Sequence, residues 1–197
     1  NDGHTDIPRL KKSIINLQVL IIFVGWESSK ESNYNHFELA TRMYEKLITL
    51  SKEEDVNIVN NLEEIQSSYK HDQLSIPISM EGGEAIENKI ENLHFFIDKG
   101  LLYFGPTWNH SLDWVSSGYD ETYNQSKLKN IGLNKFGIEI IKTCEENQVL
   151  IDVSHIGEKS FWDIYQHSKK PFIASHSSVY KICPHFRNLK DDQIKAI

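Results

Sequence analysis

The sequence predicts an α/β protein of the parallel-barrel kind, a (β/α)8 TIM-type barrel present as an incomplete fragment of about six strands. Three observations predict it. Apolar β-type runs alternate along the chain with stretches of helical periodicity, as in successive βαβ units. Residues 148–187 hold one such unit whole: the runs 149–154 and 171–175 flank a helical stretch at 158–168, and a histidine, His155 or His176, closes each run. Its two strands are expected to be parallel, so both histidines emerge at the edge where α/β folds keep their chemistry. Finally, polar groups stand at four strand ends, and a closed barrel gathers these on one mouth better than an open sheet does.

The first element is short. His4 and Asp6 lie two apart, and on an extended segment residues i and i+2 share a face, so an imidazole and a carboxylate point the same way, as one metal ion requires. The alternative is a surface turn, because Asn, Asp, Gly and Thr all favour turns. Residues 14–24 are nearly all apolar, as in a strand covered on both faces. Residues 37–50 carry Leu39, Met43, Leu47 and Leu50 at helical spacing, and a weaker helical stretch follows at 59–69. A strand at 73–80 ends in Glu81-Gly82-Gly83. Glu81 either opens a turn that caps a helix or, at a strand end, aims its carboxylate toward the histidines while the glycines let the chain leave sharply.

Residues 85–99 read as a helix with Ile86, Ile90, Leu93, Phe96 and Ile97 buried, and 101–107 as a strand running into Trp108-Asn109-His110. Residues 111–130 form a long polar loop, and such loops in compact domains are usually functional or mobile. A helix at 132–147, with Phe136, Ile138, Ile141 and Cys144 inward, leads to the βαβ unit, and a last helix starts near Leu189.

At 197 residues and 39% hydrophobic, the chain can build a substantial core, and without a repeat or linker it reads as one domain over 1–197. A full barrel takes eight strands and about 250 residues, so this one is expected to be truncated at both ends. A net charge of -7 argues against nucleic acid and anionic membrane as partners, and no apolar run reaches the length of a span. No signal peptide opens the sequence. Two distant cysteines, Cys144 and Cys183, point to a reducing compartment, so a cytoplasmic protein is expected.

Taken in order, Asp2-Gly3-His4-Thr5-Asp6, Glu81-Gly82-Gly83, Asp152-Val153-Ser154-His155, Ala174-Ser175-His176-Ser177 and His185-Phe186-Arg187-Asn188-Leu189 resemble the membrane dipeptidase family of zinc peptidases, in its bacterial form. Each motif alone is weak, and their order is what is specific. The resemblance implies a barrel with two zinc ions at its mouth. One ion would be held by His4 and Asp6, the other by His155 and His176, with Glu81 bridging both. Imidazole and carboxylate suit zinc, and a pair of ions can hold a water and lower its pKa toward about 7, giving a bridging hydroxide that attacks a dipeptide's amide bond.

By the same resemblance Glu81, His155 and His176 serve catalysis, and Arg187 receives the substrate's terminal carboxylate, a task suited to a guanidinium fork, although a surface salt bridge is its alternative. Asp152 is the expected partner of a histidine ring. Trp108 stands where better-known members have a substrate-binding histidine, so Trp108 and Asn109 are assigned to the substrate and the oxyanion helper falls to Asn109 or His110. The expected partner is a small dipeptide, within a homodimer. Two alternatives stay open: a related metal-dependent amidohydrolase acting on N-acyl amino acids or lactams, and a degenerate barrel that binds a ligand without catalysis. His36, His71, His94 and His167 read as solvated, helix or loop residues.

Overall fold

In the computed structural model, which describes residues 3–197, the apolar runs form one parallel sheet whose strands neighbour one another in chain order. Its members are β1 (Leu20–Phe23), β4 (Ile78–Glu81), β5 (Leu101–Gly105) and β6 (Leu150–Ile151). Parallel neighbours taken in sequence order are the arrangement of a barrel wall, since a doubly wound sheet reverses its order at a switch point. β1 faces β4 from Leu20↔Ile78 to Phe23↔Glu81, and Glu81 in turn faces Gly105 of β5. The run expected at 171–175 contributes a single parallel bridge, Asp152↔Ile173, with Val153 N–H donating to Ile173 O at 2.7 Å.

Helices cross between these strands on the outer face. α3 (His36–Glu53) follows β1, after the short α2 (Ser28–Glu31), and its start is set by a capping box in which Asn35 and Glu38 satisfy each other's backbone N–H. α5 (Ile90–Ile97), α7 (Lys135–Glu146) and α8 (Glu158–His167) follow β4, β5 and β6. Their apolar stripes meet the sheet in one core that includes Ile22, Met80, Phe96, Phe104, Ile141 and Phe161, all fully buried.

Three expectations are corrected. The strand expected near residue 5 does not form: Asp6 instead caps α1 (Ile7–Lys11), its side chain accepting from Arg9 N at 2.8 Å, with proline in the first turn. An aspartate cap followed by proline is a strong helix start, and it overrides the i, i+2 pattern. The strand expected at 73–80 is divided at Pro77, which has no N–H to give a ladder. Its first part, β3 (Ser75–Ile76), pairs with β2 (Asn57–Ile58) in a small separate sheet over Ile7, Leu10, Val56 and Leu74, and α4 (Leu62–Lys70) connects these two strands. Within the loop expected at 111–130, α6 (Gly118–Tyr123) forms from its Ser117 cap, and α9 (Asp191–Ala196) ends the chain. No helix among the described residues is long and apolar enough to cross a membrane.

Candidate metal centre

The C-terminal edge of the sheet brings together one carboxylate and two imidazoles. Glu81 is the last residue of β4, and its Oε1 lies 3.1 Å from His155 Nε2 and 3.4 Å from His176 Nε2. The two Nε2 atoms are 3.0 Å apart. The glycines behind Glu81 have different jobs. Gly82 has φ +93°, which a side chain rarely tolerates, and a Cβ on Gly83 would sit 2.7 Å from Trp114 Cζ2 and 2.8 Å from Pro106 O.

His155 follows β6 with φ +67°, a conformation uncommon for a residue with a Cβ, which turns the chain out of the strand direction. It is fixed there by Gly118 N–H donating to His155 O at 2.8 Å and by the bridge between Ser117 and Ile156. Asn109 Oδ1 lies 3.0 Å from His155 Nδ1. Burial holds the His155 pKa below its ordinary value, against the upward pull of Glu81, with the Arg187 charge adding to the depression. Neutral imidazole is the form that ligates a metal.

His176 is more exposed. Its Nδ1 lies 2.7 Å from Ser175 Oγ, and its backbone N–H donates to Ser154 Oγ at 3.1 Å. Asp152, expected beside a histidine ring, instead accepts from Ser154 N, Ser175 N and Ser175 Oγ. It reaches His176 only through the Ser175 hydroxyl. This serine was present in the Ala-Ser-His-Ser motif, but nothing in the sequence distinguished it from its neighbours.

Each Nδ1 is therefore engaged by a side chain, and the two Nε2 atoms and a carboxylate oxygen converge. Among the described residues, Glu81, His155 and His176 are the group whose donor atoms all lie within 4.8 Å of one another, and the set suits a divalent cation such as zinc. The structure does not bring His4 and Asp6 into this group. His4 is exposed on a bend, and the Asp6 carboxylate is taken by Arg9, with Nε at 2.8 Å. Asp2, which opens the same motif, lies outside the described residues.

Around the cluster, Arg187 Nη2 donates to His176 O at 3.1 Å. Arg187 and His155 line a cavity of about 450 Å³, along with Tyr123, His185 and Phe186. Burial lowers the Arg187 pKa, opposed by Glu81 and Asp152. On the other side Trp108 packs edge-on against Phe23 at 5.5 Å, with its ring 6.1 Å from His155. His110 sits between Trp108 and Trp26, at 6.1 and 5.4 Å, as part of this aromatic wall. His185 accepts from Arg187 N and packs on Phe186.

A family model for the membrane dipeptidases, peptidase family M19, matches residues 1–197. The chain is 34% identical over 143 residues to an Acinetobacter calcoaceticus protein described as an uncharacterized protein in the PQQ-III 3′ region, covering 73% of this chain and 45% of that relative. It is 35% identical over 124 residues to one in the pqqA 5′ region of Klebsiella pneumoniae, covering 63% and 45%. It thus spans about half the length of these curated relatives.

Among solved structures, a Rhodobacter sphaeroides metallo peptidase liganded with a phosphinate mimic of the dipeptide L-Ala-D-Ala superposes with a TM-score of 0.82 at 23% identity, covering 99% of this chain and 62% of that one. The probable dipeptidase PvdM from Pseudomonas aeruginosa gives 0.85 at 20% identity, covering 100% and 52%. At such identities these structures show a shared fold, an arc of a TIM-type barrel. With the family model matching from the first residue to the last, the chain belongs to the membrane dipeptidase family, peptidase family M19.

Proposed function

We propose that this chain carries the metal-holding part of a zinc-dependent dipeptidase, which hydrolyses the amide bond of a small dipeptide. The assignment rests on the meeting of Glu81 Oε1, His155 Nε2 and His176 Nε2 at the sheet's C-terminal edge, three acceptor atoms that a cation would satisfy together. Zinc supplies a Lewis acid that polarises the scissile carbonyl and acidifies water. Glu81, His155 and His176 would hold one ion. His4 and Asp6, with Glu81, would hold a second ion if Asp6 were released from Arg9.

Arg187, in the wall of the cavity beside His155, receives the substrate's terminal carboxylate through its guanidinium fork. Trp108, its ring 6.1 Å from His155, borders the substrate's place, while Asn109 keeps the His155 ring turned toward Glu81. The bulk of Trp108 also favours a second reading, in which the substrate is an N-acyl amino acid or a lactam. A substrate panel separates the two.

The test is metal analysis of the full-length protein together with release of amino acids from dipeptides. Hydrolysis is expected to stop with a chelator and return with zinc. Glu81→Ala is expected to lower it at least about 100-fold, since removing even an indirect partner of a ligand can cost 10–100-fold. Hydrolysis indifferent to both chelator and Glu81→Ala would contradict the assignment.

A further inference from the structure

The two imidazoles of the centre are supported in different ways. His155 Nδ1 faces the neutral amide oxygen of Asn109 at 3.0 Å. His176 Nδ1 faces the Ser175 hydroxyl at 2.7 Å, and that hydroxyl donates to Asp152 Oδ2 at 2.5 Å. A serine hydroxyl has one proton to give. With that proton committed to the carboxylate, Ser175 Oγ can only accept from the ring. The His176 proton therefore sits on Nδ1, and Nε2 presents its lone pair toward Glu81 Oε1 and His155 Nε2. Asp152 itself is 2% exposed, and its Oδ1 takes the backbone N–H groups of Ser154 at 3.0 Å and Ser175 at 2.9 Å. The carboxylate is thus fixed by backbone on one oxygen and spends the other on Ser175.

We propose that Ser175 is a positioning residue that hands the negative charge of Asp152 on to His176, fixing the ring as its Nδ1–H tautomer so that Nε2 is the atom offered to the cation. Its effect on metal affinity rests on the function proposed above, whereas the tautomer does not. Free histidine carries no such constraint, and a hydroxyl bridging carboxylate and imidazole acts as the outer partner that orients a ligating ring and raises its basicity.

The tautomer is read directly by ¹⁵N–¹H correlation of the His176 ring in metal-free protein, at a pH well above the ordinary histidine value of about 6.5. Wild type is expected to show Nδ1–H. Ser175→Ala is expected to lose that preference and to weaken zinc binding about 10–100-fold in competition with a chelator. Ser175→Thr, which keeps the hydroxyl, is expected to restore both.

Ser177→Ala serves as the control, because it removes a neighbouring hydroxyl that donates to Arg187 O at 2.7 Å and lies off the line from Asp152 through Ser175 to the His176 ring. It is expected to leave the tautomer unchanged. Nδ1–H retained in Ser175→Ala, or an equal loss of the preference in Ser177→Ala, would overturn the proposal. If the tautomer follows these expectations while zinc binds to none of the proteins, the relay stands and the dipeptidase assignment falls.

Discussion

Glu84 lies three residues beyond Glu81 and is 6% exposed, and its Oε2 has no hydrogen-bond partner among the described residues. Burial pushes its pKa from 4.5 up to about 7, with the Glu81 charge adding to the rise and a backbone hydrogen bond opposing it. The folded state keeps the proton where the unfolded state has released it, so stability is fully present below about pH 4.5 and is lost as pH rises through 7. A rise of that size corresponds to at most about 3–4 kcal/mol at roughly 1.4 kcal/mol per pH unit. Glu84→Gln is therefore expected to gain stability relative to wild type between pH 5 and pH 8, measured by denaturant unfolding of metal-free protein. An unchanged difference between the two pH values would contradict this account of Glu84. At this scale the sequence indicated which side chains stand at strand ends better than it indicated their contacts. Glu81, His155 and His176 were legible because each closes an apolar run, whereas Ser175 and Asn109 act through single hydrogen bonds that no spacing encodes.

Elements were legible where they are long or strongly apolar. The crossover helices α3, α7 and α8 lie where periodicity placed them, because each buries a stripe that repeats at helical spacing. β2 escaped notice, since two residues leave no alternation to read, and β3 was read as one strand with β4 because the break at Pro77 interrupts an otherwise apolar run. The N-terminal segment shows two local signals in competition, and the Asp6 cap with its proline prevails over alternation. That outcome has a functional consequence. Arg9 donates to Asp6 through both backbone and side chain, which competes with any role of Asp6 toward the proposed second ion. If the proposed two-ion site is right, Arg9→Ala, which removes the side-chain partner, is expected to tighten binding of the second zinc with little change in the first, as read by a stepwise titration. If Arg9→Ala left both steps unaltered, the cap would not be what withholds Asp6.

For the molecule as a whole, sheet order carries the decisive information. The order β1-β4-β5-β6, parallel throughout, aligns every C-terminal strand end on one edge, and a bridge from Asp152 to Ile173 brings His176 alongside His155 although they are 21 residues apart. This arrangement followed from the alternation of runs and helices, but the closeness of the three side chains did not, because the positive φ at His155 and the turn after Ile173 have no periodic signature. The most direct test is X-ray absorption at the zinc edge on protein loaded with one equivalent of zinc. The expected shell contains two imidazole nitrogens at about 2.0–2.1 Å and carboxylate oxygen, with one imidazole lost in His176→Ala. A shell without imidazole, or one that His155→Ala and His176→Ala both leave intact, would contradict the assignment of these three residues to one ion.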